Sequence, residues 1–254
     1  MPVLGVVTCE ILELEWAHIL SSDPDVARIT VLNNDFSQGF IEAMCSAGRN
    51  RLEQIPAMGD FAPRNSDQLE ILVRVLELGL HNRKRILQEG LVQAVKEMAG
   101  YVDAIVLGYG LCGNALEKPE ELLADAGVPL FLPMDEDHPV DDCVGLLIGG
   151  RDCYYEEQCR VAGTFFMTSG FARHWKRMFQ LQCRDSNIKF AKRIFEAYER
   201  SLIIATPVLP TDQIREDIEE FNQMFGFRTE VREGTLEILA TTWEGAKKAL
   251  CSLS

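Results

Sequence analysis

The sequence predicts an α/β fold, a parallel-rich sheet with helices on both faces built from strand–turn–helix repeats. Three observations predict it. Short apolar runs such as Val3–Thr8, Tyr101–Gly108 and Gly163–Ser169 read as buried strands. Stretches of helical spacing separate them. Gly, Pro, Asn and Asp punctuate the junctions. Strands that alternate with helices pair in parallel, because the helix returns the chain to the same edge of the sheet.

Val3–Thr8 is the first strand, and helical character begins at Glu10. Arg28–Leu32 is the second strand, stopped by Asn33-Asn34-Asp35. From 66 to 98 the spacing of Leu69, Leu72, Val73, Leu76 and Leu80 predicts helix, broken into two near Asn82 or Gly90. Tyr101–Gly108 is a strand, Tyr109–Asn114 a turn, and Pro119–Ala126 a helix ended by Gly127. Val128–Pro133 is another buried strand, after which Asp141-Asp142-Cys143 opens a helix to Ile148. Gly163–Ser169 and Leu202–Val208 are strands, with helices over Ala172–Phe179 and Asn187–Arg200. Thr211 caps an acidic helix that runs to Phe225, and Arg228–Arg232 and Leu236–Thr241 close the chain as strands. The whole of 1–254 forms one α/β unit or two tightly packed lobes.

The 254 residues carry 25 Lys and Arg against 39 Asp and Glu, a formal net charge of -14. Nucleic acid is therefore not an expected partner, since phosphate binding needs clustered cations. No apolar stretch approaches the roughly 20 residues of a membrane span. Met1–Gly5 has no basic region, so no secretory signal is expected and the compartment is read as cytoplasmic. Disulfides are disfavoured there.

Eight cysteines are then many, and no two are spaced as C-x-x-C, so any metal site is assembled by the fold. Ligands of open α/β sheets collect beyond the carboxyl ends of strands. Cys9 follows the first strand, Cys112 sits in the turn after Tyr101–Gly108, and Cys143 opens a helix after Val128–Pro133. Each precedes a helix, whose N-terminal N–H groups and dipole lower a thiol pKa. Three converging thiolates make a soft site with an open fourth position, suited to Zn²⁺ or an iron–sulfur cluster. Packing of the three thiols against the sheet is the plain alternative. Gly108, Tyr109, Gly110, Gly113 and Asn114 form a ligand-binding turn around Cys112, where glycine permits close backbone approach. It matches no nucleotide-binding pattern.

Asp135–His138 and Asp141-Asp142 form an acidic loop. Asp142 reads as an N-cap, and His138 or Asp142 is the candidate fourth ligand or acid/base. His18, His81 and His174 read as structural, and Cys45, Cys183 and Cys251 as packing thiols. Cys153 and Cys159 read as surface or core thiols, and the Glu216–Glu220 charges as a solvated helix face. No serine-hydrolase pattern is present.

The elements VDAIVLGYGLCGN, DDCVGLLIGG and GTFFMTSGF resemble domain-of-unknown-function family 1638. The resemblance runs from VVTCE to TLEILATTW. It matches Cys9, Cys112 and Cys143, while Cys153, Cys159 and the stretch LPMDEDHPVDDC depart from the family pattern. The resemblance implies anaerobic one-carbon metabolism, because members occur in methanogens and anaerobic bacteria beside corrinoid methyltransferase genes.

The expected function is a metal-binding protein with a three-cysteine zinc or iron–sulfur site, acting in corrinoid-linked methyl transfer. The alternatives are an accessory protein that binds a corrinoid or a methyltransferase partner, and a metal-free thiol enzyme using Cys112. A small molecule, a corrinoid protein or a second copy of the chain is the compatible partner.

Overall fold

A computed structural model describes residues 2–48, 51–64, 68–78, 80, 83–182, 193 and 195–253. Among them a six-stranded sheet has the order β3-β2-β4-β1-β5-β6. Its strands are β1 (Val3–Cys9), β2 (Val26–Leu32), β3 (Leu52–Ile55), β4 (Leu69–Leu76), β5 (Ala104–Gly108) and β6 (Leu130–Phe131). Every pairing in it is parallel.

Side chains alternate between the two faces, as the period of a strand requires. Leu4, Val6, Ile71, Val73 and Val106 enter one core cluster under α1 (Glu13–Ser22) and α2 (Gln38–Ser46). Val3, Val7, Leu72, Ile105 and Leu107 enter another under α3 (Lys84–Ala99). Helices thus cover both faces.

The chain leaves β1 toward β2 through α1 on one face, and leaves β4 toward β5 through α3 on the other. Neighbouring strands β1 and β4 therefore send their chains apart, which opens a crevice beyond their carboxyl ends.

After α4 (Pro119–Leu122), β6 and the small hairpin β7 (Met134–Asp135) and β8 (His138–Pro139), the chain forms α5 (Cys143–Ile148) and α6 (Arg151–Arg160). A second parallel sheet follows, in the order β11-β10-β9, from β9 (Thr164–Met167), β10 (Arg200–Ala205) and β11 (Arg228–Glu233). α7 (Ser169–Gln182) and α8 (Thr211–Phe225) pack on one of its faces through Trp175, Ile214, Ile218 and Phe221. Phe166, Leu202 and Ile204 on its other face join the cluster that already holds Leu4 and Trp16. α9 (Glu237–Leu253) contributes Leu239, Trp243, Ala246 and Leu250 to that same cluster. One continuous apolar core thus touches both sheets.

Several elements differ from the sequence reading. Leu69–Leu76 is the interior strand β4, not helix. It is buried on both faces, so apolar residues at nearly every position mimic helical spacing. Leu236–Thr241 falls mainly in α9 rather than a strand, and Leu239, Trp243, Ala246 and Leu250 mark its buried stripe. β6 is shorter than the expected Val128–Pro133 and only half-buried, as an edge strand. Arg200 begins β10, and half of the expected helix 187–200 lies outside the described residues, as do His81 and Cys183. α8 begins at Thr211, but Pro210 is its cap. Cys45 and Cys251 are exposed on helix surfaces instead of packed, and Cys159 is exposed too. Among the described residues every cysteine is free.

Candidate functional site

Cys9 ends β1, at the crevice beside β4. Its sulfur faces the N–H groups of Ile11 and Leu12 at the start of the next helical turn. Cys112 lies in the turn after β5. Three successive residues there, Cys112 (φ 46), Gly113 (φ 65) and Asn114 (φ 62), are left-handed. Glycine and asparagine tolerate that region, whereas a cysteine held there carries strain of about 1–3 kcal/mol. Backbone bonds hold the turn in place. Leu111 N–H donates to the Val140 carbonyl at 2.7 Å, and Cys112 N–H to that of Asp141 at 2.9 Å. Gly110 makes this approach possible, because a Cβ there would stand 2.7 Å from the Val140 oxygen and 2.9 Å from the Asp142 nitrogen. The turn is thereby stitched to the start of α5, where Cys143 is the first residue. Asp142 is the N-cap, its Oδ1 accepting from Val144 N–H and Gly145 N–H at 2.9 Å each.

These pieces converge. Cys9, Cys112 and Cys143 line one cavity of about 330 Å³, together with Tyr109, Gly110, Gly113 and Asp142. Leu78 from beyond β4, Leu87 of α3, and Phe171 and Met178 of α7 complete it. α7 reaches the crevice through Gly170, where a Cβ would stand 1.9 Å from the Ile11 carbonyl oxygen. The residues beyond three strands and two later helices thus build one pocket. Gly108 lies beneath it against Trp16, and Asn114 belongs to the same turn but lines a different surface cleft. His138 does not reach the cavity. It sits on the β7–β8 hairpin with its side chain 59% exposed, paired with Asp137. His174 instead bonds the buried Glu13 at 2.9 Å, and the Glu216–Glu220 charges lie on the outer part of α8.

The thiols are less acidic than their helix positions suggest. Burial, and then the neighbouring Cys112, push Cys9 up to about 12 against the pull of the Ile11 and Leu12 amides. Burial and Asp142 push Cys112 up to about 12 as well. Cys143 is raised by burial, Asp142, Cys9 and Cys112. Desolvation of a would-be thiolate outweighs the short helix ends. No Lys, Arg or His is among the described residues lining the cavity. Among the described residues no three His, Cys, Asp or Glu side chains converge on a single ion.

Residues 75–243 match the family described as protein of unknown function (DUF1638). The chain belongs to the DUF1638 family. No curated protein and no solved structure matches it. The family match takes in the turn with Cys112 and the start of α5 with Cys143, whereas Cys9 precedes it. In this DUF1638 protein the third thiol is thus brought in by the cavity geometry.

The sequence reading of this DUF1638 chain missed three buried carboxylates that follow Cys9. Glu10 accepts from Leu78 N–H at 2.8 Å and pairs with Arg177 at 2.5 Å. Arg177 also lies 3.7 Å from Glu77. Glu13 and Glu15 are buried on α1, each with one oxygen lacking a partner among the described residues. The signal was present in E-x-x-E-x-E before Trp16, an acidic pattern on a helix that must pack. Burial pushes the Glu15 carboxyl up to about 7, against the Ser169 hydroxyl that donates to it. Folded Glu15 therefore keeps its proton up to about pH 7, while the unfolded chain releases it near 4.5. The stability from this difference is complete below pH 4.5 and lost as pH rises to 7. Across that window the wild type should lose about 3 kcal/mol more than Glu15→Gln, measured by urea unfolding at both ends.

Proposed function

We propose that this protein binds a soft metal centre through Cys9, Cys112 and Cys143, with a fourth position open to the cavity. The observation that carries the reading is the shared cavity: three thiols from three separate segments meet in it, one of them on a left-handed residue. The donor chemistry fits a thiophilic metal. A bound metal would supply the positive charge that the lining lacks, and so convert buried neutral thiols to thiolates.

We favour an iron–sulfur cluster over a single zinc, because among the described residues no three such side chains gather on one ion. Zinc gathers its sulfurs about one ion at about 2.3 Å, whereas a cluster ligates each cysteine through its own iron. These thiols line one cavity without converging on one point. The metal-free thiol enzyme has less support, because Cys112 pushed up to about 12 is protonated at neutral pH. Asp142 is occupied as an N-cap and leaves the open position to a substrate. The reading extends to a cytoplasmic role in anaerobic one-carbon metabolism, with a corrinoid protein or methyltransferase as partner. Its support there is the family resemblance alone.

Anaerobic reconstitution tests it. Iron with sulfide should load near stoichiometrically, and loading should protect the three cavity thiols from alkylation, because each is then held as a metal thiolate. Protein that takes up neither iron with sulfide nor zinc would refute the metal site. Zinc loading alone would keep the site and reverse the choice of metal.

A further inference from the structure

One residue of the cavity wall carries a buried polar atom that neither the metal reading nor the described protein atoms use. Tyr109 follows β5 and is 3% exposed, and its hydroxyl has no hydrogen-bond partner among the described protein atoms. It lines the same cavity as the three cysteines. Burial raises its pKa, and Cys9, Cys112 and Glu10 add to the effect. A buried hydroxyl left unpaired costs about 1–3 kcal/mol, and phenylalanine would fill the same space without that cost. Among the described residues with an unpartnered buried atom, Tyr109 is the one that lines this cavity.

The rest of the wall narrows what the hydroxyl could meet. Ile11, Leu12, Leu78, Leu87, Phe171 and Met178 are apolar. The charged groups in the lining are the carboxylates Glu77 and Asp142. Arg177, near the mouth, already serves Glu10 and Glu77. An anion would therefore enter against like charge and give up its hydration without a cation to receive it.

We propose that Tyr109 donates a hydrogen bond to a small uncharged substrate with an apolar body and one acceptor atom, held in the cavity that the three thiols line. The proposal rests on the metal reading for what the substrate would meet there. The donor itself stands on the protein alone.

Three five-membered-ring probes of similar shape separate the contributions: cyclopentanone offers an acceptor, cyclopentane none, and cyclopentanecarboxylate a charge. Each is titrated calorimetrically into the full chain, as purified and after metal loading, in wild type and Tyr109→Phe. Cyclopentanone should bind the wild type saturably and lose about 5- to 10-fold in affinity in Tyr109→Phe, the worth of one neutral hydrogen bond. Cyclopentane should bind both proteins alike, and the carboxylate should bind neither. The variant should melt no lower than wild type and take up the same metal, because the hydroxyl it loses had no protein partner.

Absence of saturable ketone binding, equal loss for ketone and hydrocarbon, or carboxylate binding as tight as the ketone's would each overturn the proposal. So would a lower melting temperature or lower metal uptake in Tyr109→Phe, which would make the hydroxyl structural or part of the metal's surroundings. Failure of the wild type to load metal, with the ketone preference intact, would refute the metal reading and leave the donor assignment standing.

Discussion

Cys112→Ser should lower affinity for the metal centre by about 100-fold or more, since loss of a mere outer-shell partner typically costs about 10–100-fold. A serine hydroxyl is a hard neutral donor where the site offers a soft thiolate. The replacement is nearly isosteric and leaves the backbone bond from residue 112 to Asp141 in place, so the cavity keeps its walls. Cys45→Ser and Cys251→Ser should retain full metal content, because both thiols are exposed on helices away from the cavity lining. Chelator competition under anaerobic conditions measures all three. Equal retention by Cys112→Ser and the two controls would remove Cys112 from the site.

Arg200→Met should destabilise the fold by about 3 kcal/mol, at the lower end of the range for breaking a buried ion pair. Arg200 is 0% exposed at the start of β10. Its guanidinium pairs with Glu157 at 2.6 Å and Glu230 at 2.5 Å, and donates to the Thr164 hydroxyl at 2.8 Å. It thus ties α6 to all three strands of the smaller sheet. Removal strands the Glu157 carboxylate in the interior, where Arg232 at 2.7 Å and Arg160 at 3.5 Å soften the loss. Arg200→Met combined with Glu157→Met should recover part of the stability, since the isolated charge is then gone as well. Urea melts of the three proteins decide it. A double variant no more stable than Arg200→Met would show that the stranded Glu157 carboxylate is not what the single change costs.

The sequence made legible what depends on short range. β1 and the β5 turn follow from brief apolar runs stopped by glycine and polar residues, and Asp142 as an N-cap follows from its place before an apolar run. The placing of Cys9, Cys112 and Cys143 at strand ends followed from the same logic, and the cavity that all three line agrees with it. What depends on surroundings was not legible. Leu69–Leu76 reads as helix until its two covered faces are known. The direction of the thiol shifts turned on desolvation, which no local pattern reports. His138 looked available because it stands three residues before Asp141, yet the hairpin turns it to solvent. Glu10, Glu13 and Glu15 acquire their buried partners from Leu78, Arg177, His174 and Ser169, all distant in sequence.

The close approach of α7 at Gly170 to the Ile11 carbonyl has a consequence for biosynthesis. The first wall residue in sequence order is Cys9 and the last described one is Met178, about 170 residues later. Contacts so far apart in sequence form late, after long loops have been closed. A nascent chain can pair β1 with β4 and β5 well before α7 emerges, and during that interval the thiol of Cys9 faces open solvent. Cys9, Cys112 and Cys143 all precede α7 in the chain, so the thiols are made before the wall that α7 adds.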